Sequence, residues 1–352
     1  MKILYVITGL SGGGAEKVVC DLADKMVLNG HLVKIAFLKG SQIVVKPKNQ
    51  DIELVYLELE SFSQIYKTCR LYQKIIKNFK PDIVHSHMIH ANIFSRINQI
   101  FIKVPKLICT AHNANEGGKI RMLGYRLTNR LADINTNVSV EAVESFVNKK
   151  AFSRDALAVY NGINLEQFNF FNKKIKNEVV RMIAIGRLTP QKDYPNLIKA
   201  LAIVKETFKN FKLQIVGDGE EKDNIIDLIH HYNLQDHISL LGRRNDIAEL
   251  LAQSDLFILA SAYEGFGLVV AEAMATNTFV VATDCGGVKE VMGGCGILVA
   301  PEDSNILAEG ILKALNLSPN EIDYNNLKAY EHVRNSFDLN FIVKKWLELY
   351  GK

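Results

Sequence analysis

Short apolar segments alternate with helical stretches along the whole chain, and this alternation restricts the fold more than any other feature. The first series of predicted strands is Lys2–Thr8, Leu32–Phe37, Ile83–His85, Leu107–Thr110 and Ile134–Val138, separated by helical stretches near 15–28, 64–79, 91–101, 121–131 and 140–149. The second series is Val180–Gly186, Lys212–Val216, Ile238–Leu240, Leu256–Leu259 and Phe279–Ala282. Strands that alternate with helices form parallel sheets covered on both faces. The sequence therefore predicts an α/β fold with two doubly wound parallel sheets.

The alternation stops once and then restarts, which predicts two domains. A chain of 352 residues is long enough to bury two hydrophobic cores. The polar, lysine-rich segment Asn169–Asn177 lies between the two series and is the predicted linker. We therefore expect an N-terminal domain over residues 1–168, a C-terminal domain over residues 169–337, and a last helix within residues 338–352.

Composition favours a cytoplasmic protein. The five cysteines are scattered and form no C-x-x-C pair, as expected for a chain kept in a reducing compartment. The apolar start Ile3–Leu10 resembles the core of a signal peptide, but no small-residue cleavage site follows it, so a buried first strand is the better interpretation. No apolar run approaches the length of about 18 residues that a membrane-spanning helix needs.

Positive charge is concentrated in the first half of the chain. Residues 1–172 contain 22 Lys and Arg against 14 Asp and Glu, a net charge of +8, whereas residues 173–352 contain 20 against 24, a net charge of −4. The predicted helix Gln64–Lys80 has an apolar stripe on one side. Its cations lie on the opposite side: Lys67, Arg70, Lys74 and Lys77. A second basic stretch contains Lys119, Arg121, Arg126 and Arg130.

These cations predict docking on an anionic membrane surface at the inner face of the cell membrane, because each cation near such a surface contributes about 1 kcal/mol. The alternative is an ordinary solvated helix face. Nucleic acid is a poorer partner, since the second half is acidic and the basic residues do not interleave with aromatic ones.

Two glutamates, Glu264 and Glu272, are the strongest candidates for a functional site. Glu264 begins a turn with Gly265 and Gly267, and Glu272 lies in the apolar run Leu268–Ala275, which predicts a buried helix. Glycines and a helix N-terminus let backbone N–H groups approach an anionic ligand. A buried carboxylate needs hydrogen-bond donors, and sugar or ribose hydroxyls supply them.

The spacing of the two glutamates argues against a glycoside hydrolase. Eight residues of helix rise about 12 Å. The two carboxyl groups of a glycosidase are about 5–5.5 Å apart in retaining enzymes and about 6.5–9.5 Å apart in inverting ones. Glu264 and Glu272 therefore suit the two ends of an extended ligand better than one scissile bond.

Glu264 and Glu272, separated by seven residues, resemble the signature of the family 4 type of retaining glycosyltransferases, the glycosyl transferases group 1. Further segments carry the same resemblance in the same order: Gly186–Asp193, Val216–Gly219, Leu241–Arg243 and Thr283–Gly287. The resemblance covers essentially the whole chain. It implies two Rossmann-like domains facing a central cleft, the GT-B architecture, with the N-terminal domain binding the acceptor and the last helix packing back onto that domain.

The resemblance implies transfer of a sugar with retained configuration from a nucleotide-diphosphate sugar, most simply a UDP-sugar. The acceptor it implies is a glycan or a polyprenyl-diphosphate-linked glycan of cell-envelope polysaccharide biosynthesis. The implied catalytic residues are His112 and Glu264. The implied donor-binding residues are Gly13, Gly14, Arg187, Lys192, Arg243, Gly265, Phe266, Gly267, Leu268 and Glu272.

Within that set, Glu272 would hold the ribose, Glu264 and the glycine turn would hold the sugar, and His112 would contact the sugar from the first domain. Arg187 and Lys192 would hold the diphosphate, because fixed cations stabilise the negative charge that develops as the glycosidic bond breaks. The loop Gly9–Glu16 fits neither G-x-G-x-x-G nor the P-loop, so it predicts only an anion-binding loop or a tight turn.

No metal and no cofactor are predicted. His85, His87 and His90 raise a metal-site hypothesis, but no carboxylate or cysteine lies close to them in sequence, and a structural role is favoured. The chain also has no D-x-D motif, so protein cations are expected to neutralise the diphosphate.

Three other functions are less favoured. A nucleotide-sugar epimerase of similar two-lobed fold is the main alternative, against which the paired glutamates argue. A dinucleotide oxidoreductase would need a true G-x-G-x-x-G with an acid about 20 residues later. An exported sugar-binding protein would need a signal peptide.

Overall fold

The computed structural model describes residues 1–40, 42–114, 116–168 and 179–351. The chain forms two compact units: unit 1 contains Met1–Gly162 and Leu339–Lys352, and unit 2 contains Ile163–Asp338. The boundaries from sequence, after residues 168 and 337, differ from these junctions by six residues and by one. The predicted linker Asn169–Asn177 lies outside the described residues.

Unit 1 is a parallel sheet with helices on both faces. Its strands are β1 Lys2–Ile7, β2 Leu32–Phe37, β3 Glu53–Tyr56, β4 Ile83–His87, β5 Lys106–Ala111, β6 Ile134–Asn137 and β7 Leu157–Ala158. The helices are α1 Gly14–Leu28, α2 Ile65–Phe79, α3 Ile89–Asn98, α4 Gly118–Thr128, α5 Val140–Asn148 and the chain's last helix, α13 Leu339–Gly351. The strand order is β3-β2-β1-β4-β5-β6-β7.

The core of unit 1 has one layer on each face of the sheet. On one face, apolar residues of α1 and α13 pack on β1 and β2, with Trp346 and Tyr350 of α13 buried there. On the other face, Tyr72 of α2 and Phe94 of α3 pack edge to face over the sheet at 5.3 Å between ring centroids. The last helix therefore belongs to the core of the unit that contains the start of the chain.

Unit 2 repeats the same architecture. Its strands are β8 Val180–Ile185, β9 Phe211–Val216, β10 Ile238–Gly242, β11 Leu256–Leu259, β12 Phe279–Thr283 and β13 Ile297–Val299, in the order β10-β9-β8-β11-β12-β13. Its helices are α6 Tyr194–Thr207, α7 Lys222–His231, α8 Ile247–Gln253, α9 Leu268–Ala275, α10 Val288–Met292, α11 Ser304–Leu315 and α12 Pro319–Phe337. All strand pairs are parallel.

Local sequence explains where several helices of unit 2 begin. Asp193 caps α6 by accepting a hydrogen bond from the Asn196 backbone N–H, and Asp303 caps α11 in the same way. Ser318 and Glu321 form a capping box at α12, with Pro319 as its first residue. These caps satisfy N–H groups that a helix cannot pair internally.

The predicted fold class is confirmed, since both units are parallel sheets flanked by helices. All ten predicted strands are present, with ends shifted by no more than two residues. The sequence missed the strands β3, β7 and β13, which are only four, two and three residues long. Within the described part of the chain, no helix has both the length and the apolar character needed to cross a bilayer.

Candidate functional site

In unit 2, the carboxyl ends of β8 and β11 meet where the strand order of the sheet reverses. β9 and β10 lie on one side of β8, and β12 and β13 lie beyond β11. Ligands of open α/β sheets bind at such a switch point, outside the carboxyl ends of the strands. Arg187 and Lys192 follow β8, and Glu264 follows β11. Three predicted site residues therefore lie at the edge of the sheet that favours a ligand.

Lys192 and Glu264 form an ion pair at this edge. The Lys192 Nζ lies 2.5 Å from the Glu264 Oε1, and the Ser261 hydroxyl donates to the same oxygen at 2.7 Å. The side chains of Lys192 and Glu264 are only 18% and 10% exposed. Charges this well shielded interact more strongly than surface pairs. The carboxylate of Glu264 is therefore held in one orientation by two donors.

The loops after β8 and β11 are also joined through their backbones. The Gln191 carbonyl accepts from the Ala262 N–H at 3.0 Å, and the Gln191 side-chain amide donates to the Tyr263 carbonyl at 2.9 Å. Tyr194, at the start of α6, donates to the Gly186 carbonyl at 3.1 Å. Burial and the nearby Glu264 raise the pKa of the Tyr194 hydroxyl, so it stays a neutral donor. The ion pair thus rests on a cross-linked pair of loops.

Close backbone contacts explain why two positions at this edge are glycine. A Cβ on Gly286, whose φ is +56°, would lie 1.9 Å from the Glu264 carbonyl oxygen. A Cβ on Gly217 would lie equally close to the Gly186 carbonyl oxygen. Any side chain at these positions would displace the loops that carry Glu264 and Arg187.

Helix α9 begins directly after the glycine turn. Gly267 has a φ of +81° and is the residue before the first helical residue, Leu268. Glu272 lies one turn further along and is only 4% exposed, among the buried apolar residues of the same helix. The expected start of a buried helix at this apolar run is confirmed, and the helix ends at Ala275.

Arg187 and Arg243 are exposed cations at the same edge. The Arg187 side chain forms no ion pair with another residue in the described part of the chain. Arg243 follows β10, and its Nε lies 3.7 Å from the Asp218 Oδ2, with both side chains largely exposed. An exposed pair of this kind contributes little to stability. Both guanidinium groups are therefore accessible to a ligand.

In unit 1, the predicted glycine loop lies at the N-terminus of α1. Gly13 is the residue before the helix, and Gly14 is its first residue. A Cβ on Gly13 would lie 2.6 Å from the Glu16 carboxylate, whereas nothing lies within 4 Å of a Cβ on Gly14. Because Glu16 occupies the first turn, the N-terminus of α1 already has an acidic neighbour.

His112 follows β5 and pairs with a second histidine. Its Nε2 lies 2.9 Å from the Nδ1 of His87, the last residue of β4. The other two ring nitrogens, His112 Nδ1 and His87 Nε2, are buried without a hydrogen-bond partner among the described residues. Both histidines line a small cavity of about 10 Å³ with Asn161 and Trp346. A cavity of this size is at the lower limit for one water molecule.

Burial keeps these histidines neutral. Burial lowers the pKa of His112 to about 4 and lowers the pKa of His87 as well. A neutral pair can share a single proton between Nδ1 and Nε2, so one ring donates and the other accepts. The pair is therefore uncharged at neutral pH, with His112 Nε2 engaged by His87 and His112 Nδ1 buried.

The metal-site hypothesis for His85, His87 and His90 finds no support in the described residues, where no group of three or more metal-binding side chains forms. His85 is engaged at both ring nitrogens, by the Tyr350 and Thr110 hydroxyls at 2.7 Å each. His85 therefore ties α13 to the sheet.

The sequence did not predict three contributors to these sites: Ser261, Gln191 and His87. Ser261 and His87 are polar residues at the carboxyl ends of strands, a position that is itself a signal for a ligand site in a parallel sheet. Gln191 has no such signal, because its role depends on a loop 71 residues further along the chain.

Two family models match the chain and together span residues 12–331. The model described as Glycosyltransferase Family 4 matches residues 12–167. The model described as Glycosyl transferases group 1 matches residues 166–331. Their junction lies close to the junction between the two units.

Relatives from distant organisms match over most of the chain. An uncharacterised glycosyltransferase of Methanocaldococcus jannaschii is 29% identical over 327 residues, 78% of this chain and 80% of the relative. The N-acetylgalactosamine-N,N'-diacetylbacillosaminyl-diphospho-undecaprenol 4-alpha-N-acetylgalactosaminyltransferase of Campylobacter jejuni is 27% identical over 340 residues, 88% of this chain and 89% of the relative.

A solved structure shares the fold. The Anabaena protein HepE in complex with UDP-glucose matches with a TM-score of 0.86 at 21% identity, covering 100% of this chain and 99% of that chain. The two family models cover both units, and the relatives extend across both. The chain is a glycosyltransferase and belongs to family 4.

Proposed function

We propose that the protein transfers a sugar from a UDP-sugar to a lipid-linked glycan acceptor of cell-envelope polysaccharide, with retention of configuration and without a metal ion. The observation that carries this proposal is the Lys192–Glu264 ion pair at the switch point of unit 2, beside the accessible cation Arg187. It holds the Lys192 ammonium group in a fixed position against Glu264, while the exposed Arg187 supplies a positive charge at the same edge.

The donor would lie along this edge. Glu272 would accept hydrogen bonds from the ribose hydroxyls, because it is a carboxylate one turn into the helix that follows the glycine turn at this edge. Arg187 and Lys192 would bind the diphosphate together with backbone N–H groups at the N-terminus of α9, from Gly265, Phe266, Gly267 and Leu268. The UDP-glucose complex of HepE supports a uridine nucleotide. Arg243 would add a further positive charge at the same edge.

Retention would follow from front-face substitution at the sugar. Glu264 is held by Lys192 and Ser261, which suits it to accept hydrogen bonds from sugar hydroxyls better than to act as a mobile nucleophile. The leaving phosphate would take the proton from the acceptor hydroxyl, while the cations stabilise the charge that develops on it. His112 of unit 1, with Gly13 and Gly14, remains a further proposed contact to the donor.

The acceptor class is proposed from a relative. The name of the Campylobacter jejuni enzyme specifies transfer onto a diphospho-undecaprenol-linked saccharide. A diphosphate-linked lipid acceptor also suits the basic character of the N-terminal half of the chain, where the net charge is +8.

The proposal is tested by incubating the protein with UDP-, GDP- and ADP-sugars and synthetic polyprenyl-diphosphate acceptors, with and without excess EDTA. We expect UDP release that depends on the acceptor, persists in EDTA, and yields a product whose anomeric proton shows the configuration of the donor. An inverted product would refute front-face substitution. Loss of activity in EDTA with rescue by Mg²⁺ or Mn²⁺ would refute metal independence. Interconversion of the donor sugar without acceptor would indicate the epimerase alternative.

A further inference from the structure

Three helices of unit 1, α2, α3 and α4, lie side by side on one face of the sheet. α2 contacts α3 through Tyr72 and Phe94, and α3 packs on α4, where Ile93 fills the space beside Gly124. Helices α1 and α13 cover the opposite face. The outer surface of α2, α3 and α4 is called the outer helical face below.

The outer helical face exposes several large apolar side chains. On α4, Ile120 is 86% exposed, Leu123 50% and Leu127 75%. These residues are spaced three and four apart, so they lie on one side of the helix. Ile97 near the end of α3 and two residues just after the helix are also exposed: Ile100 and Phe101. Single exposed apolar residues are common, but a row of them along one side of a helix indicates an interaction surface.

The same face is strongly basic. Residues 61–131 contain twelve Lys and Arg against two Asp and Glu, a net charge of +10. Ten of the twelve cations are exposed: Lys67, Arg70, Lys74, Lys77, Lys80, Lys103, Lys119, Arg121, Arg126 and Arg130. The two acids of this stretch are Asp82, which accepts from the Lys2 backbone N–H, and Glu116, which accepts from the His112 N–H and the Tyr125 hydroxyl.

The cations of α4 flank its apolar stripe and line a depression. The depression has a volume of about 450 Å³ and is lined by Gly118, Lys119, Met122, Leu123, Arg126 and Lys149. Lys119 and Arg126 form no ion pair with any residue that the structure describes, whereas Lys67 of α2 is paired with Glu58. Lys119 and Arg126 therefore place unpaired positive charge on the helix that carries Ile120, Leu123 and Leu127.

We propose that the outer helical face is a membrane-docking surface, with α4 lying on an anionic bilayer. Ile120, Leu123 and Leu127 enter the boundary between headgroups and acyl chains, and Lys119, Arg126 and Lys149 seat a lipid phosphate in the depression. An amphipathic helix with an apolar stripe between cations binds membranes in this way. Each cation adds attraction to anionic lipid. Nucleic acid would satisfy the cations but leave the apolar stripe in water.

This surface differs from the sequence prediction, which used only the cations of α2 and a basic stretch around α4. The structure adds the exposed apolar stripe, the depression and the pairing of Lys67 with Glu58. The docking does not depend on which sugar or acceptor the transferase uses.

Vesicle flotation tests the proposal with the full chain. We expect binding to vesicles of phosphatidylglycerol and phosphatidylcholine, weaker binding at high salt, and little binding to phosphatidylcholine alone. The double variant Ile120→Ser, Leu127→Ser should weaken binding about tenfold, because two apolar side chains no longer leave water. The variant Lys119→Glu, Arg126→Glu should weaken binding at least as much at low salt.

Matched controls separate docking from general effects. Leu28 is 75% exposed, as Leu127 is, and Leu32 is 61% exposed, so Leu28→Ser, Leu32→Ser should bind as the wild type does. Lys209→Glu, Lys222→Glu makes the same charge change on unit 2 and should also bind normally. Equal losses in the controls, or equal binding to neutral vesicles, would overturn the proposal. So would a concentration-dependent dimer abolished by Ile120→Ser, Leu127→Ser, or binding to an oligonucleotide in place of vesicles.

Discussion

Glu264 and Glu272 are both buried carboxylates at the proposed donor edge of unit 2. Glu264, counted with its backbone, is 7% exposed, and one of its carboxylate oxygens accepts from Lys192 and Ser261. Glu272 is 4% exposed inside an apolar helix, where a carboxylate is costly unless donors surround it. Lys192 and Ser261 orient the carboxylate of Glu264, and the proposed ribose contact of Glu272 remains to be measured.

The role of Glu272 can be measured directly. Glu272→Gln replaces a charge-assisted hydrogen bond with a neutral one, which costs about 1.5–3 kcal/mol, so UDP affinity should fall roughly 10- to 100-fold. Isothermal titration calorimetry with UDP measures this. Glu309→Gln, an exposed residue of α11, is the matched control and should bind UDP normally. Wild-type affinity in Glu272→Gln would rule out the ribose contact.

At the scale of elements, the loops after the strands of unit 2 behave as one connected layer. The Leu188 N–H donates to the Asp218 carbonyl, linking the loops after β8 and β9, and the Gly217 N–H donates to the Gly242 carbonyl of β10. The Gly287 N–H donates to the Gly265 carbonyl, linking β12 to the turn before α9. A displacement in one loop is therefore transmitted to the residues that the proposed donor contacts.

Gly286→Ala tests this connection. The new Cβ would lie 1.9 Å from the Glu264 carbonyl oxygen, so the Glu264 loop must move, and we expect kcat/KM for transfer to fall by about tenfold or more. Gly294→Ala is the control, because Gly294 also has a positive φ but a Cβ there meets nothing within 4 Å. It should cost only about 1–2 kcal/mol of stability and leave transfer intact. Equal activity in both variants would show that the loop tolerates the shift.

At the scale of the whole molecule, the two ends of the chain meet in unit 1. The Tyr5 and Tyr350 hydroxyls are 3.1 Å apart, and Tyr350 also bonds to His85. Trp346, the single tryptophan, lies 4.4 Å from the His85 ring between centroids. Its fluorescence therefore reports on the folding of unit 1 alone.

Unit 1 should lose stability as the pH falls. Burial lowers the pKa of His85, His87 and His112, the last to about 4, whereas an unfolded histidine has a pKa near 6.5. Between these pKa values the unfolded chain binds more protons than the folded chain does. The free energy of unfolding therefore rises with pH in this range, and this stability is lost as the pH falls below about 6.5. The titration of His112 alone should lower the free energy of unfolding by roughly 2 kcal/mol as the pH falls from about 7 to about 5.

Urea unfolding followed by Trp346 fluorescence, from about pH 7.5 to about pH 5, measures this loss. His87→Asn should flatten the dependence on pH, since one buried titrating group is removed. His231→Asn, at an exposed histidine of unit 2, should leave it unchanged. If the urea concentration at half-unfolding did not vary with pH, the conclusion that these histidines are buried and neutral would be contradicted.

The sequence by itself determined the repeated α/β architecture, because apolar strands and amphipathic helices leave a local pattern that does not depend on distant residues. It also located the glycine turn and the helix of Glu272, since both lie within a few residues of one another. The short strands β3, β7 and β13 left too little pattern, and their pairing depends on a neighbouring strand.

Only the tertiary structure decided which side chains meet. Lys192 and Glu264 are 72 residues apart, and His87 and His112 are 25 apart, yet each pair is in contact because parallel strands bring their carboxyl ends to one edge. The sequence could not predict the exposed stripe of α4 either, because Ile120 and Leu127 are apolar residues that a sequence pattern assigns to a core. Burial is decided by what packs on a helix, and no local pattern records that.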